Sequence, residues 1–200
     1  MWFGRIGGML VVGGCVLCLL AAAIAVGDGN ADSGLDAVLQ ALVPAALAPI
    51  GFGAAVVSVA GPKPLDGRTM RVGLGTLAVG LLSYLAATFL PVPAGSNSLQ
   101  SWPHIILGIV GLLATVLGLP VTALSLVRVP GPSRTAGSLL LAGLLLLTFA
   151  GILSNSWTDQ PFRLIAGALE VFGFSGILLG LTCIGALAIN GDRSAAVASA

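Results

Sequence analysis

Six long apolar runs constrain this chain more than any other feature. Each contains 18 or more mainly apolar residues, close to the ~20 that an α-helix needs to cross ~30 Å of hydrocarbon. Short connectors rich in helix breakers, such as the one at Pro130-Gly131-Pro132, separate the runs. The sequence therefore predicts an all-α polytopic membrane protein, a bundle of six transmembrane helices in a single domain over residues 1–200. The predicted helices are Ile6–Val26, Ala37–Ala60, Val72–Leu90, Ile105–Val127, Ala136–Leu153 and Leu164–Ile189.

The charge content agrees with a lipid environment. Charged residues make up 8% of the chain, against about 25% in ordinary soluble domains, and the mean hydropathy is +1.09. A net charge of +1 without a large basic patch argues against nucleic acid as a partner. The first run, Ile6–Val26, has 21 residues without a charge. It is longer than the apolar region of a secretory signal, so we expect it to remain as a membrane helix.

The basic residues predict the orientation of the bundle. Seven of the eight fall in connectors or termini on one predicted side, and only Arg163 falls on the other, where Asp28, Asp32, Asp36 and Asp159 lie. Because Lys and Arg accumulate in short cytoplasmic loops, we expect both termini to be cytoplasmic. The preference for Arg over Lys, together with abundant Ala, Gly, Val and Leu, hints at a GC-rich bacterial genome, which would place the protein in a bacterial cell membrane.

The chain also contains a repeated pattern. Arg5, Arg68 and Arg134 each open an odd-numbered helix at intervals of 63 and 66 residues, and Arg193 follows 59 residues later. These intervals predict three repeated helical hairpins. Pairs of small residues four apart, as in Gly176-xxx-Gly180, Ala114-xxx-Gly118 and Thr76-xxx-Gly80, favour close helix packing. We interpret them as contacts inside the bundle rather than as a dimer interface.

Glu170 is the most informative polar residue. It lies seven positions after Arg163, hence roughly 10 Å into the predicted membrane along helix six. A charge at such a depth costs on the order of 3 kcal/mol, so we expect Glu170 to face the bundle interior and to have a partner. It is a candidate catalytic proton donor and a candidate ligand-binding residue. The alternative is a protonated, hydrogen-bonded carboxyl that holds helices together.

Three further residues are candidates for an outer-leaflet pocket with Glu170. His104, the only histidine, begins helix four, and Tyr84, the only tyrosine, lies near the outer end of helix three. Both are catalytic candidates, although a capping role for His104 and a packing role for Tyr84 are the simpler interpretations. Arg163 is a candidate ligand-binding residue at the outer rim.

Other chemistry finds little support in the sequence. Cys15-Val16-Leu17-Cys18 is a CxxC motif, but it lies in the middle of helix one, where thiolates are unfavourable. We therefore interpret all three cysteines as packing residues. The chain contains no P-loop, GxSxG or HExxH motif, and one histidine with one membrane glutamate does not make a metal site. We expect neither a metal nor a cofactor.

A family resemblance rests on two landmarks. The helix-four segment that begins Trp102-Pro103-His104 and ends near Arg128, together with Gln160-Pro161-Phe162-Arg163 before helix six, resembles a bacterial family of six-helix membrane proteins, the domain of unknown function 998. Helix six departs from that family because Phe172 and Phe174 stand there without a Trp. The resemblance implies a six-helix topology and no activity.

These observations leave the function open between two main classes. The first is a small integral membrane protein with a binding or accessory role, for an apolar small molecule or lipid, or as a subunit of a complex with a membrane protein partner. The alternative is an intramembrane isomerase or cyclase that acts on a lipid or isoprenoid, with proton transfer from Glu170. A transporter is disfavoured because three parallel hairpins do not match the usual inverted repeats.

Overall fold

A computed structural model of the chain contains six α-helices joined by short connectors, and no strand, among the residues that it describes. These are residues 2–27, 35–63, 65–90, 102–156 and 160–197, with the backbone alone described at 23–27, 35–41, 43, 155–156, 160–164 and 192–197. The prediction of an all-α protein is confirmed. The helices are α1 Trp2–Gly27, α2 Leu35–Ala60, α3 Arg68–Phe89, α4 Trp102–Val127, α5 Pro132–Ser156 and α6 Gln160–Val197.

Every helix begins two to four residues before its apolar run, and α6 ends at Val197, eight residues after its predicted end at Ile189. Helix α3 starts at Arg68 and α5 at Pro132, each four residues before its apolar run. Hydropathy marks only the part of a helix that would lie in hydrocarbon, whereas backbone hydrogen bonding continues to the cap. Proline opens α5 and occupies the first turns of α4 and α6 at Pro103 and Pro161, where its missing N–H costs nothing.

The apolar character of the helices indicates a multi-pass membrane protein. Five helical stretches in the described part of the chain are long and apolar enough to cross a bilayer, and a shorter apolar stretch covers Pro44–Ala60. Many large apolar side chains are exposed, among them Leu145 at 70% and Phe172 at 67%. Water would penalise such a surface, and lipid would not.

The six helices form a ring. Each packs against its neighbours in sequence, and α1 also packs against α6. The most extensive contacts are those of the hairpins α1–α2, α3–α4 and α5–α6, and the least extensive contact among these neighbours is that between α4 and α5. Arg5, Lys63, Arg68, Arg71, Arg128 and Arg134 lie at the helix ends and connectors of one end of this ring, which we name the basic end.

Small residues seven positions apart bring the two helices of each hairpin together. In α1–α2, a methyl group on Gly53 would come within 2.5 Å of the Gly7 carbonyl oxygen, and one on Gly14 within 2.7 Å of the Ala46 carbonyl oxygen. The hairpin α5–α6 has the same arrangement, because a methyl group on Gly143 would lie 2.6 Å from the Gly173 carbonyl oxygen. Such distances show that the paired helix backbones are in direct contact. We name these interfaces the glycine seams.

The α3–α4 hairpin has the same kind of seam with two threonines in it. A methyl group on Gly73 would lie 2.6 Å from the Thr122 hydroxyl oxygen, and one on Gly80 would lie 2.5 Å from that of Thr115. Gly118 packs as closely, because its added methyl group would lie 2.5 Å from the Leu77 nitrogen. The interpretation of Gly80, Gly118, Gly176 and Gly180 as contacts inside the bundle is confirmed, since each packs against the other helix of its own hairpin.

Along the axis of the ring, the part of the interior nearer the basic end is filled by a packed core. Every helix contributes buried residues to one core cluster, among them Cys15, Ala54, Leu74, Ala123, Leu140 and Ile184. The connector between α2 and α3 adds Leu65, which is 0% exposed although it lies outside any helix. The amide of Leu65 donates a hydrogen bond to the Pro62 carbonyl at 2.6 Å. Leu65 therefore closes the interior at the basic end.

The glycine seams predict a sharp difference between two adjacent residues of α1. We expect Gly14→Ala to destabilise the protein by about 1–3 kcal/mol, because the added methyl group overlaps the α2 backbone. Gly13 is exposed, and a methyl group there would meet no described heavy atom within 4 Å. Gly13→Ala should therefore be neutral or raise stability by up to about 1 kcal/mol. Thermal unfolding in detergent measures both, and equal effects of the two changes would contradict the seam.

Candidate functional site

A cavity of about 600 Å³ lies inside the ring, on the side of the packed core away from the basic end. All six helices line it. Core and lining adjoin, because Ile50, Leu77, Leu119 and Leu181 belong to both. Its volume lies within the range of small-molecule binding sites, ~300–1,000 Å³. The cavity is the feature of the described residues best shaped to hold a ligand.

The lining is almost entirely hydrocarbon. The Thr115 hydroxyl donates a hydrogen bond to the Gly111 carbonyl at 2.8 Å, and the Thr148 hydroxyl donates one to the Leu144 carbonyl at 2.8 Å. Both hydroxyl protons are thus used within their own helices. The Cys18 thiol is the other polar group among the described lining residues. Such a surface selects a ligand by shape and apolar contact, with little directional hydrogen bonding.

Glu170 lies just beyond the cavity on α6. It precedes Phe174, a lining residue, by four positions, and it is exposed. Residues four apart lie on the same side of a helix, so Glu170 continues the cavity-facing side of α6 toward the end of the bundle opposite the basic end. This position agrees with the expectation that Glu170 faces the interior. The side chain is exposed, and the expectation that it has a partner stays a prediction.

His104 and Tyr84 belong to a different part of the ring. Tyr84 packs against α4, because a methyl group on Gly111 would lie 2.9 Å from the Tyr84 nitrogen. Its side chain is nevertheless 48% exposed. His104 precedes Gly111 by seven residues, on the side of α4 that faces α3, and its Nδ1 is buried without a hydrogen-bond partner in the described structure. Both residues therefore lie on the α3–α4 interface, and neither lines the cavity.

The structure does not gather the catalytic candidates into one pocket. Glu170 is on α6, whose main neighbours are α5 and α1, whereas Tyr84 and His104 are on α3 and α4. Arg163 lies in α6, but its side chain is outside the described residues. The described cavity lining contains no carboxyl, imidazole or phenol group. The roles assigned to these four residues stay predictions.

The cysteines are free thiols in three different settings. Cys15 is 0% exposed in the packed core, Cys18 is half-buried in the cavity lining, and Cys183 lines a second depression of about 570 Å³ between α5 and α6. The interpretation as packing residues holds fully for Cys15. The described residues contain no group of three or more His, Cys, Asp or Glu that could hold a metal ion.

Sequence reasoning missed the cavity itself. Leu112 lines it and Leu113 does not, although both are leucines in the same helix and both are exposed. Residue type carries no signal that separates them. The seven-residue spacing of Gly7 with Gly14, Gly73 with Gly80 and Gly173 with Gly180 was available in the sequence. It identifies the side of α1, α3 and α6 that packs in a glycine seam, and the cavity-facing side of each of these helices lies next to that side.

The cavity predicts opposite outcomes for these two leucines. We expect Leu112→Trp to stabilise the purified protein by about 0.5–2 kcal/mol, because the larger side chain fills apolar space inside the ring. Leu113→Trp adds the same atoms outside the cavity and should change stability by less than about 0.5 kcal/mol. Unfolding temperatures in one detergent compare the two variants. Destabilisation by Leu112→Trp alone would mean that the space is closed in solution.

Comparison of the chain with protein-family models, with curated proteins and with solved structures gave no match.

Proposed function

We propose that the protein is an integral membrane protein that binds an apolar ligand of the lipid or isoprenoid class in the central cavity. The observation that carries the proposal is a cavity of about 600 Å³ to which all six helices contribute apolar side chains. A ligand with a hydrocarbon chain matches both the size and the polarity of that space. The binding role is compatible with service as a subunit of a larger membrane complex.

The proposal includes the finer topology. We propose six spans, arranged as three repeated hairpins, with both termini on the cytoplasmic side of a bacterial cell membrane. The support is a glycine seam in every hairpin and the concentration of described basic side chains at one end of the ring. The resemblance to the domain of unknown function 998 is part of the same proposal, because that family has six helices.

The enzyme alternative has weaker support. An isomerase or cyclase needs a proton donor or acceptor within hydrogen-bonding reach of the bound substrate. In the described lining, the cavity offers two threonines and one thiol for that task, and both threonine hydroxyls donate to their own helix. Binding without chemistry is therefore the function that the cavity supports best.

A photoreactive chain tests the binding function. Hexadecanol carrying a diazirine in mid-chain, added to the protein in nanodiscs, should crosslink to the lining of α4 and α6 in a saturable manner that excess hexadecanol competes away. Leu112→Trp should reduce this labelling several-fold, because the indole occupies the space, whereas Leu113→Trp should leave it unchanged. Peptide mass spectrometry locates the crosslinks. Labelling confined to the outer surface, or equal in the two variants, would exclude a ligand site in the cavity.

The proposed orientation predicts which connectors a membrane-impermeant maleimide reaches in intact cells. Lys63→Cys and Arg134→Cys should stay unlabelled until the cells are permeabilised, since both belong to the basic end. Ser98→Cys, in the connector between α3 and α4, should be labelled at once. Labelling is read by a mass shift of the purified protein. If Lys63→Cys and Arg134→Cys were labelled from opposite sides, the even number of spans between them would be wrong.

A further inference from the structure

Glu170 lies on the side of α6 that faces away from the apolar outer surface. Ile165, Phe172 and Leu179, at intervals of seven, are exposed by 50%, 67% and 48% and define the outer, lipid-facing stripe of α6. Glu170 is two residues from Phe172, about 200° around the helix, and it shares the side of Phe174 and Ile177, which line the cavity. The exposed Glu170 side chain therefore faces the axis of the ring, on the side of the cavity away from the basic end.

Two glycines near Glu170 and near the cavity have no described heavy atom close to them. Gly167, three residues from Glu170, and Gly108, four residues before the lining residue Leu112, are both half-buried. A methyl group on either would meet no heavy atom of the described residues within 4 Å. At a well-packed glycine such as Gly111, by contrast, an added methyl group would lie 2.9 Å from the Tyr84 backbone nitrogen of the neighbouring helix. The described residues thus leave these two glycine positions, near the cavity and near Glu170, uncovered.

The other end of the cavity is closed. Cys15, Leu74 and Leu140 in the core cluster are exposed by at most 1%, and Leu65 of the α2–α3 connector belongs to the same cluster at 0%. A bound molecule longer than the cavity can therefore extend only toward the end that carries Glu170 or sideways between helices. Toward the Glu170 end, the polar part of an amphiphile would gain water and a polar neighbour, whereas between the helices it would meet lipid tails.

We propose that the ligand is a cationic amphiphile whose apolar chain fills the cavity and whose positively charged head group lies against the Glu170 carboxylate. The inference rests on the proposed binding function and adds the head-group chemistry. A carboxylate in an apolar setting is costly unless an opposite charge accompanies it. Glu170 is an acidic residue on the cavity-facing side of α6, so a cationic head group gains a counter-ion there that a neutral or anionic one does not.

Three probes with one chain and different head groups test this proposal. Each carries the same sixteen-carbon diazirine chain, with a trimethylammonium, hydroxyl or sulfate head, and is titrated against the protein in nanodiscs of neutral lipid. We expect the trimethylammonium probe to bind roughly five- to tenfold more tightly than the hydroxyl probe, and the sulfate probe more weakly than either. Equal affinities for the wild-type protein would overturn the inference without the need for any variant.

Variants of Glu170 assign the preference to its charge. Glu170→Gln should lower the affinity for the trimethylammonium probe to that for the hydroxyl probe and leave the hydroxyl probe unchanged, whereas Glu170→Asp should retain part of the preference. Asp66→Asn is the matched control, because Asp66 is exposed at the basic end, and it should alter none of the affinities. A preference that survives Glu170→Gln would overturn the role of this carboxylate.

The two proposals fail in different ways. If no probe binds saturably, or if Leu112→Trp does not reduce binding of the hydroxyl probe, the binding function itself is wrong. If the hydroxyl probe binds in the cavity but the three head groups bind alike, only the cationic head-group assignment is wrong. Unfolding temperatures of the variants, measured without probe, separate a loss of binding from a loss of fold.

Discussion

Direct backbone contact along the glycine seams is the interaction on which the rest of the structure depends. Lipid tails are as apolar as leucine side chains, so burial of hydrocarbon gives helices in a membrane little reason to associate. Close van der Waals contact supplies that reason, and it requires residues small enough for two backbones to touch. Gly7 with Gly53, Gly80 with Thr115 and Gly143 with Gly173 meet this requirement, one pair in each hairpin. A seven-residue spacing keeps such contacts on one side of a helix over several turns.

The seams also explain why the interior is only half filled. Within a hairpin the small residues bring two helices close together, and the larger residues beside the seams point toward the axis of the ring. Near the basic end these side chains, with Leu65, pack into a core. Farther along, six helices spaced around a ring enclose more space than Ile50, Leu77 and Leu181 fill, and a cavity remains. Core and cavity thus follow from one arrangement of helices.

Hydropathy was sufficient to predict that these helices exist. It did not predict where the helices begin or what surrounds individual side chains. The run that begins at Val72 predicts α3, but the helix begins at Arg68, because the helical backbone extends past the hydrocarbon. Glu170 attracted attention as a charge within an apolar run, and its place on the cavity side of α6 was expected. Its exposure was not expected, since local sequence does not reveal whether the space in front of a side chain is filled. Leu112 and Leu113 show the same limit, because only the packing of distant helices distinguishes them.

Leu65 has a consequence for how molecules move through this protein. Because this connector residue is fully buried at the basic end, it blocks the interior of the ring at that end. Passage along the axis of the ring at the basic end would require the α2–α3 connector to move, together with the Leu65–Pro62 hydrogen bond that shapes it. This shape agrees with the proposed binding of a membrane-soluble ligand, whereas permeation through the ring would require a rearrangement of the connector.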